Sequence, residues 1–240
     1  MVTVVKGQPP SEEIRRRLAA EGRPVLVAYS GGKDAIACTL ALIEAGVDVR
    51  LAHLYGIPGR EPGKALSFVE QGLTYTEEKL GIPVARYPHP SLYRKLRHLV
   101  FQPPERCALI EAAQLPQPGV QEMWTFIRED LGLPADTWVA DGVRAADSPY
   151  RRASLATHGV MKPSTMKVSP IHDWVKFEWT ACLDRWGWKL PPDYPMFGRS
   201  FDGIDYRFLA PMRDAYPDDY QRVLDWFPLA ELELMRRGEL

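Results

Sequence analysis

Val25-Leu26-Val27-Ala28-Tyr29-Ser30-Gly31-Gly32-Lys33-Asp34 is the stretch on which the fold reading turns. Its first five residues are apolar and rich in β-formers, the mark of a short buried strand. Two glycines follow, and residues 35–45 then read as a mostly apolar helix closed by Gly46. A strand passing through a glycine turn into a helix makes an anion site. Glycine lets the backbone approach a phosphate closely, and the free amides of the first helical turn point at it. Ser30 adds a hydroxyl, Lys33 a mobile positive charge, and Asp34 a carboxylate that caps the helix or holds a magnesium ion. A bare βα turn needs no such set of Ser, Gly-Gly, Lys and Asp. Hydrogen bonds to charged groups net roughly 1.5–3 kcal/mol each. Three or four of them give about 5–10 kcal/mol, roughly millimolar to micromolar affinity. The loop can hold a phosphate but cannot choose a base.

Outward from this loop, strands and helices alternate. Ser11 followed by Glu12-Glu13-Ile14 reads as a capped helix running to Glu21 and ended by Gly22. Residues 47–54 and 83–87 read as further strands, with a helix at 65–80 between them. Residues 91–113 hold one or two helices broken at Pro103-Pro104, then a helix spans 121–131 and a fourth strand 137–140. Alternation of this kind implies parallel pairing through right-handed crossovers. Beyond about residue 160 the character changes. A helix at 173–186 with Asp173 as N-cap, a proline-rich stretch, and helices at 218–227 and 229–237 read as an extension. The expected domains are therefore 1–160, a nucleotide-binding α/β domain, and 161–240, a C-terminal extension packed on it.

The composition narrows the classes of function. The 30 Lys and Arg against 31 Asp and Glu leave a net charge of −1, so no global field draws the chain to nucleic acid or anionic lipid. Nucleic acid is thus not an indicated partner, although Arg and Lys are unevenly spread. No run approaches the ~20 apolar residues of a membrane span. Residues 1–10 lack the apolar core of a signal peptide, so a cytoplasmic location is expected. Cys38, Cys107 and Cys182 form no CxxC or Cys/His cluster, so neither structural zinc nor an iron–sulfur cluster is expected. The loop matches neither G-x-x-x-x-G-K-[ST] nor G-x-G-x-x-G.

Tyr-Ser-Gly-Gly-Lys-Asp after a strand resembles the pyrophosphatase (PP) loop of the adenine nucleotide α-hydrolase superfamily. Within it, the likeness is nearest to the phosphoadenosine phosphosulfate (PAPS) reductase branch. Asp141-Gly142-Val143-Arg144-Ala145-Ala146-Asp147-Ser148 is similar to that branch's Gly-Ile-Arg-x-x-Glu-Ser segment, and Pro170-Ile171-His172-Asp173-Trp174 to its Pro-x-x-x-Trp segment. The resemblance implies a Rossmann-like α/β fold with a five-stranded parallel sheet, helices on both faces, a mainly helical C-terminal extension, and nucleotide at the carboxyl ends of the strands. It implies an adenine nucleotide, ATP or PAPS, held by Ser30, Gly31, Gly32, Lys33 and Asp34, with Leu54, Tyr55 and Gly56 beside the adenine. Asp141, Gly142 and Arg144 would approach a phosphate or sulfate. Asp147, in the place of the family's Glu, would orient it or join Asp34 on magnesium. Lys33, Asp34, Arg144 and Asp147 are then the expected catalytic set.

The chain also departs from the pattern. Ala35 stands where many relatives carry a second serine. The C-terminal catalytic cysteine of thiol-dependent reductases has no counterpart, and Arg199-Ser200-Phe201-Asp202-Gly203 occupies the place of a Gly-Cys-x-x-Cys segment. Reduction of a sulfonucleotide needs a thiolate that reaches sulfur. The first expectation is therefore adenylyl transfer with pyrophosphate release to an acceptor that the sequence leaves open. A PAPS-using reductase or sulfotransferase-like enzyme with an external thiol is the second, and a non-catalytic nucleotide sensor the third. Homo-oligomerisation is equally open. Arg199 and Asp202 are expected to fold over the nucleotide or receive the second substrate, while His89, after the third strand's end, is left open between the crevice and a structural role. Arg151, Arg152, His158 and Lys162 divide between a basic wall and a solvated connection. Trp174, Phe177, Trp179, Trp186 and Trp188, at helical spacing, are expected to be core.

Overall fold

A computed structural model describes residues 3–238, which divide into two compact units interleaved in sequence. The first comprises, among these, residues 3–53, 81–85 and 124–190, and the second residues 54–80, 86–123 and 191–238. The fold is α/β. Helices α1 (Ser11–Glu21), α2 (Lys33–Glu44) and α3 (Ser67–Leu80) alternate with strands β1 (Val25–Ala28), β2 (Val49–Tyr55) and β3 (Val84–Pro88). Helices α4 (Pro90–Arg97), α5 (Pro104–Ala112) and α6 (Val120–Asp130) lead to β4 (Val139–Ala140). Then come α7 (Pro149–His158), β5 (Met161–Lys162), β6 (Lys167–Val168) and α8 (Lys176–Arg185). Helices α9 (Asp193–Phe197), α10 (Tyr206–Ala215) and α11 (Pro217–Trp226) precede a terminal 3-10 turn and a short helix.

The sheet has six strands in the order β3-β2-β1-β4-β6-β5 rather than the five expected. β1 pairs in parallel with β2 (Val25 beside Val49) and with β4 (Leu26 beside Val139), and β4 in parallel with β6. The sixth strand arises because β5 turns back antiparallel on β6. β5 and β6 are two residues each and, unlike Trp138-Val139-Ala140 at β4, lie in no apolar run, so the sequence pattern does not mark them. Helix α7, read as a connection, places Arg151, Arg152 and His158 on a helix that Ser148 caps.

The first unit continues past residue 160 to Leu190, because β6 completes the sheet beside β4 and α8 packs against α2. Arg185 and Trp186, at the end of α8, both donate to the Glu44 carboxylate at the end of α2. Asp173 does not cap α8, whose N-cap is Val175. It is buried, and its carboxylate accepts from the Ser11 amide 2.9 Å away, so it serves the start of α1. Phe177, expected in the core, is 73% exposed.

The second unit packs α10 against α9 and α11 around an aromatic nucleus. Phe68 meets the edges or faces of Phe197, Phe201 and Tyr216 at 5.4–5.8 Å between centroids. Here too a distant aspartate caps a helix. Buried Asp219 accepts from the amides of Ser67 and Phe68 and from the Ser67 hydroxyl, so α11 fixes where α3 begins. Arg86 on β3 forks onto Glu70 and Glu77, two turns apart on α3. No helix among the described residues is long and apolar enough to cross a membrane.

Asp219→Ala removes three hydrogen bonds to one carboxylate and uncaps α3, which should cost about 2–4 kcal/mol in urea unfolding. Asp219→Asn, which keeps one acceptor oxygen, should recover part of that loss.

Candidate functional site

The loop between β1 and α2 is built as its sequence demands. Gly31 has φ of +77°, in the left-handed region that glycine adopts without steric cost, and Gly32 is extended at the N-cap of α2. No side chain caps this helix, so its first amides are not consumed by a capping group of their own. The Ser30 hydroxyl accepts from the Gly32 amide at 3.3 Å, closing the turn. Ser30 is exposed and Gly31 half-buried, while Gly32 is buried against the sheet. The loop therefore presents its Ser30–Gly31 side to solvent. Beneath it, the Tyr29 amide donates to the Ala52 carbonyl at 2.8 Å, and the Tyr29 carbonyl lies 2.9 Å from His53 Nδ1. His53 is thus a buried structural residue.

Lys33 and Asp34 form an ion pair at 2.7 Å, with 30% and 26% of their side chains exposed. Lys33 Nζ also lies 5.7 Å above the Trp179 ring. Trp179, expected to be core, is half-buried and forms a wall of the site. Helical spacing gave no hint of this role, because only the packing of α8 on α2 creates it.

The segment after β4 meets this loop. A Cβ placed on Gly142 would stand 2.6 Å from the carbonyl carbon and oxygen of Asp34, closer than any side chain permits. Gly142 is thus required because two backbones touch. Asp141 accepts from the Val143 amide at 3.1 Å and from the Ser169 hydroxyl at 2.7 Å, and burial pushes its carboxyl above the usual range. It shapes the turn rather than offering a free charge. Arg144 is 7% exposed at its side chain and sits between two carboxylates. Its Nη2 lies 2.7 Å from Asp147 Oδ1 and 3.0 Å from Asp34 Oδ1. The Asp34 contact is an ion pair without hydrogen-bond alignment, since that oxygen and Arg144 Nε are both buried without hydrogen-bond partners. Arg151 reaches the other oxygen of Asp147 at 2.7 Å. Next along, the Ala145 amide donates to the His172 carbonyl at 2.7 Å.

Lys33, Asp34, Arg144 and Asp147, expected together, are thus brought into one charged cluster. Each carboxylate already faces cations, and among the described residues no group of three His, Cys, Asp or Glu side chains could hold a metal ion. The pair Asp34 and Asp147 faces Arg144 here.

Leu54, Gly56 and Arg199 belong to the second unit, as does Tyr55. Leu54, Gly56 and His89 line a cavity there, whereas Arg199 turns to Asp202 in an ion pair. Of the cysteines, Cys38 is fully buried and its thiol is pushed well up by desolvation. Burial likewise raises Cys182 to about 11. Neither supplies a thiolate near neutral pH. Cys107 is half-buried and points its thiol at the carbonyls of Pro103 and Gln102.

No protein-family model and no curated protein matches the sequence. Among solved structures, the U34-tRNA thiolase NcsA from Methanococcus maripaludis, with its [4Fe-4S] cluster, aligns with 92% of this chain and 78% of its own, at 15% identity and a TM-score of 0.45. An NH3-dependent NAD synthetase from Campylobacter jejuni, in complex with a nitrate ion, aligns with 95% of this chain and 93% of its own, at 12% identity and a TM-score of 0.41. A predicted subunit of tRNA methyltransferase from Methanocaldococcus jannaschii aligns with 68% of this chain and 74% of its own, at 19% identity and a TM-score of 0.35. The expectation that an iron–sulfur cluster is excluded is corrected to this extent: the thiolase is described with a [4Fe-4S] cluster, and the cysteine spacing of this chain does not by itself rule one out. The physical reason is that cluster thiolates converge in space, so missing CxxC spacing excludes only ligands from one loop.

Two predictions follow from the geometry. Gly31→Ala meets open space and should cost only the left-handed backbone penalty, about 1 kcal/mol, whereas Gly142→Ala must push two backbones apart and should cost about 2–3 kcal/mol in chemical denaturation. Iodoacetamide at pH 8 should label Cys107 and spare Cys38 and Cys182 in the native protein, as read by peptide mass mapping, because their raised thiols remain protonated there.

Proposed function

We propose that the loop from Ser30 to Asp34 holds the phosphates of an adenine nucleotide, and that the chain is an adenylyl-transfer enzyme acting on ATP. The carrying observation is the solvent-facing glycine turn at the uncapped N-terminus of α2, with Lys33 beside it. Backbone amides and the positive end of the helix dipole favour phosphoryl oxygens, and Lys33 is the mobile cation of the cluster. In the reaction proposed, an oxygen or sulfur nucleophile of the acceptor bonds to the α-phosphorus. The bond from that phosphorus to its bridging oxygen breaks, pyrophosphate leaves with the electron pair, and the acceptor gives up its proton. Lys33 swings from Asp34 to the phosphates and offsets the growing negative charge. Arg144, sealed between Asp34 and Asp147, acts as a positioning residue that holds the start of α2 against the 141–148 segment. The acceptor and the PAPS-using alternative are separated by experiment.

Thermal shifts with ATP, with PAPS and with adenosine 3′,5′-bisphosphate, followed by a pyrophosphate-release assay, test this reading. ATP should raise the Tm, and Lys33→Ala should weaken ATP binding about tenfold or more while leaving the ligand-free Tm nearly unchanged. Stabilisation by PAPS and not by ATP overturns the reading in favour of sulfonucleotide chemistry. Stabilisation by ATP without pyrophosphate release from any acceptor marks a sensor.

A further inference from the structure

The second unit contains a cavity of about 220 Å³ that the phosphate loop does not account for. The end of β2 contributes Leu54, Gly56 and Ile57, the first turns of α4 contribute Ser91 and Lys95 beside the N-cap His89, and residues 201–204 close the far side. Ser91 and Lys95 stand four residues apart on one helix, and so on one face. His89 Nδ1 accepts from the Ser91 amide at 2.9 Å, which leaves the ring proton on Nε2 as a donor. Burial, followed by the charges of Arg94 and Lys95, lowers its pKa, so the ring is neutral at pH 7.

Lys95 is the unusual group. Among the described residues its side-chain ammonium makes neither a hydrogen bond nor an ion pair. The acid whose charge it feels is Asp202, and that carboxylate is held by Arg199. A half-buried ammonium without a counterion is costly to keep, and desolvation pulls its pKa down. The wall opposite is fixed. Phe201 donates its amide to Asp193 at 2.9 Å and sets its ring at 5.4 Å from both Phe68 and Phe208. The cavity is therefore preformed, with one unsatisfied cation, two neutral donors, an apolar floor and, at its rim, the Asp202 carboxylate already paired with Arg199.

We propose that this cavity binds a small organic carboxylate with an apolar body, its acid group on Lys95, Ser91 and His89 and its body against Leu54, Ile57 and Ile204. One ammonium matches one negative charge, and Asp202 disfavours a second, which argues against a phosphate. The volume lies below the ~300–1,000 Å³ of clefts that take drug-sized ligands, so the ligand is small. The assignment does not rest on the Ser30–Asp34 loop, but Leu54 and Gly56 are also the residues that the resemblance sets beside the adenine, so the two readings compete for that wall.

Benzoate is a suitable probe, with benzamide as its neutral isostere and inorganic phosphate as the competing anion. Amide chemical shifts of the full chain should move at Gly56, Ser91 and Gly203 on adding benzoate, and benzamide should bind about tenfold more weakly or worse. Lys95→Gln should reduce benzoate affinity to the benzamide level, Lys95→Arg should restore part of it, and Lys33→Ala should leave it unchanged. Equal binding of benzamide overturns the proposal, as do full benzoate binding by a folded Lys95→Gln variant, shifts that map elsewhere, phosphate binding in benzoate's place, and absence of any binding.

Discussion

The contact between the backbone of Gly142 and that of Asp34 is the constraint on which the first unit's chemistry depends. Two chain segments more than a hundred residues apart come together where a Cβ would stand 2.6 Å from a carbonyl. Glycine alone permits that approach. Once the segments touch, Arg144 lies close enough to span Asp34 and Asp147, and the start of α2 is held rigidly in front of the sheet. An anion loop works only if its amides are fixed before the ligand arrives, since ordering them on binding would consume the affinity they supply.

Charge in this region is arranged as a graded series. Arg144 is nearly sealed and doubly paired, Arg151 is more exposed and shares Asp147, and Lys33 is held by Asp34 at the solvent side. A cation clasped by two carboxylates is ill placed to meet a phosphate, whereas a lysine on a flexible stem can exchange one anion for another. On the proposed reading, positioning and ligand binding thus fall to different cations. Trp179 adds an aromatic face beside Lys33 that limits where the ammonium can move.

In the second unit, two buried aspartates organise much of the architecture. Asp219 on α11 satisfies the first amides of α3, while Asp193 on α9 holds the Phe201 amide. Both are buried, and both supply acceptors to backbone donors that would otherwise be stranded. The aromatic nucleus around Phe68 fills the space between them. The small cavity with Lys95 lies against this fixed wall, which explains how a lone ammonium is kept in place without a partner of its own.

What the sequence determined by itself was local. The apolar run at Val25, the glycine pair and the alternation of strands with helices are written in neighbouring residues, because periodicity and backbone freedom act over a few positions. The α/β class and the loop of Ser30 to Asp34 follow from that. The tertiary structure decided which groups pair across long separations. Asp173 read as the cap of the helix that follows it, but it serves Ser11 at the start of α1 instead. Trp179 read as core, yet it walls Lys33 because α8 packs on α2. Ser91 and Lys95 gave no signal at all. A hydrogen bond or a cavity depends on distance in space, and spacing along the chain says nothing about that once the chain has turned back on itself.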